Sequence, residues 1–125
     1  MISTTTIQIA VSAGDDYKVA QRAEIIAKIK LYSDKYNVPF KRMYNTIKCE
    51  TAGTFDPMIQ SQVKYNFNSA KRGIVKGTLE ESYGLSQIHL PDHPKVSLEQ
   101  ATDIDFALNF MAREYSLGHD IWYCD

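Results

Sequence analysis

Between Pro39 and Pro57 the chain brackets a short helix whose inward face carries an acid. Pro39 suits the first helical position, because the N–H it lacks is not needed there. Phe40, Met43, Tyr44, Ile47 and Thr51 then recur at helical spacing. Glu50 lies three residues after Ile47 and seven after Met43, which puts it on the apolar face. Gly53 is a natural stop, and Asp56-Pro57 prevents continuation. An ionised carboxylate on an apolar face loses hydration. Its pKa is expected to rise, which a general acid working near neutral pH requires. A carboxylate that only faces inward and reaches water at the helix end accounts for the same pattern.

A second stretch, Glu81-Ser82-Tyr83-Gly84-Leu85-Ser86-Gln87-Ile88, adds a Gly-Leu turn followed by a polar pair. Together the two stretches resemble the lysozyme-like superfamily, most closely its SLT-type lytic transglycosylase and goose-type lysozyme branch. That branch has a catalytic Glu followed by Ser or Thr, then aromatic-Asn/Asp-Pro, and later Gly-Leu-Met-Gln-Ile. Glu50-Thr51, Phe55-Asp56-Pro57 and Gly84-Leu85-Ser86-Gln87-Ile88 take those places. The resemblance runs from about residue 36 to residue 117, with clear motifs in these two blocks only. Ser86 stands where the family has Met, the spacer after Ser61 is longer than in simple SLT domains, and no Ala-Tyr-Asn motif follows.

The resemblance implies an α+β, mainly helical fold with a small β-hairpin or loop wall beside a cleft. It implies cleavage of the β-1,4 bond between N-acetylmuramic acid and N-acetylglucosamine in peptidoglycan, with no metal or organic cofactor. In the transglycosylase version Glu50 protonates the glycosidic oxygen. It then acts as base while the muramic 6-hydroxyl closes a 1,6-anhydro ring. A hydrolytic muramidase of phage or bacterial type needs a second carboxylate across the cleft. Glu81 is the first candidate and Glu80 the second; a solvated acidic turn is the plainer reading of both. Ser61, Ser82, Gln87 and Tyr65 are expected on the substrate side. Tyr115, from the last helix, stands in for the tyrosine that approaches the acid in the family. A non-catalytic cell-wall-binding or virion module, and an enzyme acting on chitin, are the rival readings.

Length and composition fit one domain over residues 15–125, with residues 1–14 as an extended lead. In that lead Ile7, Ile9 and Val11 alternate with polar or small residues, as in a strand; a disordered tail is the alternative. A net charge of −1 leaves no basic footprint for nucleic acid. No segment is long enough to insert in a membrane, and the start lacks the basic and apolar runs of a signal peptide. A monomer is expected, acting on the cell wall in a periplasmic, extracellular or phage-delivered setting.

A helix is expected over 17–36, with Val19, Ala23, Ile25, Ile26, Ile29, Tyr32 and Tyr36 as its stripe. Val63, Tyr65 and Phe67 alternate with polar residues, and Gly73 and Gly77 follow, which predicts a hairpin or two looser extended arms. His89, Asp92 and His93 are interrupted by Pro91 and Pro94, which fits a rigid turn and not a metal site. Ser97-Leu98-Glu99-Gln100 is a capping box. Phe106, Ala107, Leu108, Phe110, Met111 and Leu117 form the final stripe, and Gly118 stops it. Cys49 and Cys124 are the only cysteines. Either they are two buried thiols or they are bridged, and the bridge, favoured here, implies an oxidising destination.

Overall fold

The computed structural model describes residues 2–124, with side chains described from Asp16 onward. The chain is α+β and about half helical, with one small two-stranded antiparallel sheet. Helix α1 spans Ile2–Lys35 and α2 spans Phe40–Glu50. A long irregular segment follows, holding a 3-10 turn at Ala70–Arg72. Strands β1 (Ser82–Tyr83) and β2 (Ile88–His89) come next, then a 3-10 turn at Leu90–Asp92. Helices α3 (Leu98–Ala101) and α4 (Ile104–Ser116) complete the order.

The core lies where α1, α2 and α4 meet. Ile25 and Ile29 from α1, Met43 and Ile47 from α2, and Leu108 and Met111 from α4 are all fully buried. The stripe expected on α1 therefore holds from Ile25 onward, with Tyr32 and Tyr36 packed at its margin. Val19 and Ala23 are instead exposed, and in that stretch Arg22 places its guanidinium over the Phe55 ring. Polar contacts fix α1 on α4: Lys28 Nζ and Tyr32 Oη both donate to the Asp105 carboxylate, at 2.8 and 2.9 Å. Asp105 is held below the usual carboxylate range, first by the hydrogen bond from Lys28.

Several sequence expectations meet corrections. The backbone over 2–14 is part of α1, not an extended lead. No proline interrupts it, and extending an existing helix is far easier than starting one. Pro39 caps α2 from one position outside it, with extended backbone. Residues 63–79 form the looser alternative to a hairpin: isolated bridges join Lys64 to Leu79 and Ser69 to Ile74, and Gly73 takes φ +67° to close the 3-10 turn. Of the alternating apolar residues there, only Tyr65 is buried, while Val63 and Phe67 are exposed. Leu117 is also exposed, since α4 ends on Ser116 just before it. The capping box at Ser97 and Gln100 forms in both directions, and Asp103 then caps α4 through the Phe106 N–H.

Candidate active site

Glu50 is the last residue of α2, and the turn that follows is locked by Thr51. The buried Thr51 hydroxyl donates to the Ile47 carbonyl at 2.8 Å and accepts the Phe55 N–H at 3.1 Å. Ala52 and Gly53 both take left-handed backbone, at φ 51° and 78°, which turns the chain back under the helix end. Phe55 then buries its ring, with the Arg22 guanidinium 4.4 Å from the ring centroid. The helix end is therefore rigid, and Glu50 projects half-buried from it.

The carboxyl opens on a cleft of about 610 Å³, bordered by Gln60, Ser61, Tyr65, Phe67, Glu80 and Tyr123 among others. An adjoining cavity of about 310 Å³ shares Glu50, Tyr65, Phe67, Glu80 and Tyr123, and adds Ser82, His89 and Trp122. Burial pushes the Glu50 carboxyl above its ordinary value, and the nearby negative charge of Glu80 acts in the same direction. Backbone N–H groups of Cys124 and Tyr123 oppose this by stabilising the ionised form, and burial prevails. The Cys124 N–H donates to Glu50 Oε1 at 3.1 Å.

The opposite wall is braced by a polar chain. Tyr65 Oη accepts the Glu81 N–H at 3.0 Å and is hydrogen-bonded to His89 Nε2 at 2.7 Å. His89 Nδ1 then donates to Asp92 at 2.8 Å, and Arg72 pairs with the other Asp92 oxygen at 2.6 Å. His89 first, and Arg72 with it, hold Asp92 below its ordinary pKa. His89 and Asp92 thus brace a wall. Among the described residues no cluster of three His, Cys, Asp or Glu side chains is placed to hold a metal ion.

Segment 59–61 runs beside β1, with the Ser61 N–H donating to Ser82 O at 2.9 Å and the Gly84 N–H to Ile59 O at 2.8 Å. That pairing brings Ser61 to the cleft. Gly84, at φ +79°, lies against the α3 backbone; a Cβ there would sit 1.9 Å from the Ala101 carbonyl oxygen. Gln87 lines the cleft, but its amide nitrogen donates to Gly84 O and Ile59 O, at 2.9 and 3.2 Å. Its first role is to hold the turn. Ser86 is buried and donates to the Ala107 carbonyl.

The structure brings Glu50, Ser61, Tyr65 and Gln87 to one cleft. Ser82 is buried and donates to Glu80 Oε1 at 2.8 Å, so it steadies that carboxylate. Glu80 faces the cleft, whereas Glu81 is exposed and borders neither cavity. Of the two candidate second carboxylates, the geometry thus favours the second. Tyr115 is buried with its hydroxyl 2.8 Å from Thr46 Oγ1 and its ring against Trp122, and it borders neither cavity.

Cys49 and Cys124 are bridged. Sequence reasoning assigned no site role to Tyr123 or to the Cys124 amide. The signal was available, because a bridge to Cys49 necessarily carries residues 123–124 to the neighbour of Glu50. No family model, no curated protein and no solved structure matches the chain.

Proposed function

We propose that this protein cleaves peptidoglycan at the MurNAc-β-1,4-GlcNAc bond, with a lysozyme-like design and Glu50 as its general acid. The observation that carries the reading is Glu50 itself: a half-buried carboxyl, raised in pKa by burial, on a rigid helix end at a cleft of ligand-binding size. The neutral carboxyl donates its proton to the glycosidic oxygen as that bond breaks. The carboxylate left behind then takes the proton of the muramic 6-hydroxyl, whose oxygen closes onto C1. The product carries a 1,6-anhydro ring, and Glu50 regains its proton. Because the nucleophile is already part of the substrate, positioning supplies much of the rate.

Glu80 favours a second reading, hydrolysis. It borders the same cleft, is held by Ser82, and its charge acts on Glu50. In a muramidase it would activate water or stabilise the oxocarbenium-like centre. Both readings place the protein, as a monomer, on cell-wall glycan, and the Cys49–Cys124 bridge suits an oxidising destination. Turbidity of a cell-wall suspension tests the proposal. The wild type should clear it and Glu50→Gln should not. Sedimentation with the wall without clearing would instead favour a binding module.

A further inference from the structure

Residues 121–124 lie outside the motifs that single out Glu50, yet they border its cleft and the adjoining cavity. Trp122 is buried against Tyr115, with ring centroids 4.7 Å apart, and its indole N–H donates to the Ser86 carbonyl at 2.6 Å. Cys124 is bridged to Cys49, the residue before Glu50, and its N–H reaches the Glu50 carboxyl. Between these two anchors Tyr123 is 100% exposed and borders both cavities. A ring on a loose loop would say little. Here the backbone is anchored on both sides, so binding has only the side-chain torsions of the ring left to order. Phe67, 41% exposed, borders the same two cavities. A pyranose ring has an apolar C–H face and polar edges, and an exposed aromatic ring next to hydrogen-bonding groups is its natural complement.

We propose that segment 121–124 completes a site for a β-1,4-linked N-acetylated amino-sugar chain, with Tyr123 as the stacking platform and the Cys49–Cys124 bridge keeping that wall assembled. The inference rests on the glycosidase reading of Glu50. It makes the site conditional on oxidation. Cys49 is exposed, so a dithiol reductant can reach the bridge. One reductant thiolate attacks a bridge sulfur and expels the other as thiolate. The second reductant thiolate then attacks the reductant sulfur of that mixed disulfide, expels the second protein thiolate and closes the reductant into a cyclic disulfide. The protein gains two electrons and, with protonation, two thiols. Tyr123 loses one anchor and Glu50 loses the tethered amide, while the Trp122 anchor persists.

The test uses the only tryptophan, Trp122, as a fluorescent reporter beside the platform. Tri-N-acetylchitotriose is titrated into the oxidised wild type, Tyr123→Phe, Tyr123→Ala and dithiothreitol-reduced wild type. Near-ultraviolet circular dichroism monitors the fold. Tyr123→Phe should bind as the wild type does, whereas Tyr123→Ala should bind about tenfold more weakly. Reduction should weaken binding by a similar factor with the near-ultraviolet signal kept. Unchanged affinity in Tyr123→Ala overturns the platform, and that exposed substitution decides the matter even if reduction unfolds the protein. Unchanged affinity in a folded, reduced protein overturns the role of the bridge. If the oxidised wild type neither binds the trisaccharide nor cleaves peptidoglycan, the glycosidase reading has failed and takes this inference with it. If it cleaves normally while Tyr123→Ala is unaffected, only this inference falls.

Discussion

Glu50 is hard to ionise, and that has a cost that can be measured. Its folded pKa stands above the ordinary carboxylate value because burial disfavours the charge. In the window between the two values the folded state holds more protons than the unfolded state. Stability therefore falls as pH rises through that window, and the full penalty remains above it. Glu50→Gln removes the penalty while keeping an acceptor for the Cys124 N–H. Thermal melts across pH should show a higher Tm for the variant at neutral pH, with the gain lost below the ordinary carboxylate range. Glu80 and Glu81 separate at the same scale. Glu80 acts on Glu50 through its charge, so Glu80→Gln should lower the Glu50 pKa. The alkaline limb of the pH–rate profile should then move to lower pH. If Glu80 activates water, kcat should instead drop by about 10²–10⁴-fold. Glu81→Gln, at an exposed position outside both cavities, should leave kcat/KM unchanged. Steady-state assays on soluble glycan fragments distinguish these outcomes.

The turn between β1 and β2 shows an element set by one contact. Gly84 combines φ +79° with an approach to the Ala101 carbonyl that no side chain permits. Gly84→Ala should cost more than about 2 kcal/mol in urea unfolding, because the strain and the clash fall on backbone atoms that cannot yield cheaply. That glycine was legible in the sequence, as were α2, the Ser97–Gln100 box and the buried stripe of α4. Each is written locally, in spacing, caps and stops. The segment 63–79 was not. Its bridges at Lys64–Leu79 and Ser69–Ile74 are isolated, and Tyr65 is buried through a hydrogen-bond chain to His89 and Asp92 that no alternation pattern reveals. The alternation at Ile7, Ile9 and Val11 misled for a related reason. A period over five residues is too short to outweigh continuation of the helix into which it leads. Glu80 and Glu81 are adjacent in sequence, and only the path of β1 decides which one faces the cleft.

Across the whole molecule, one covalent tie joins the acid's helix to a segment 75 residues away. A loop of that length should contribute roughly 4 kcal/mol by restricting the unfolded chain. The double variant Cys49→Ala/Cys124→Ala should lose most of that in guanidinium unfolding while retaining the buried Trp122 signal at low denaturant. Fold and chemistry meet at this tie, because the same bridge that stabilises the domain brings the Cys124 amide and the Tyr123 ring to Glu50. The α1–α4 contacts at Asp105 join two helices of the core, and the braced wall at Tyr65 borders the cleft. The central claim is that Glu50 breaks a glycosidic bond in peptidoglycan. Mass spectrometry of muropeptides released from purified peptidoglycan, with Glu50→Gln in parallel, tests it most directly. The account predicts 1,6-anhydro-muramic ends from the wild type and no release from the variant; products one water heavier, with reducing muramic ends, would move the chemistry to hydrolysis with Glu80. Intact glycan after wild-type treatment, or equal release by Glu50→Gln, would contradict it.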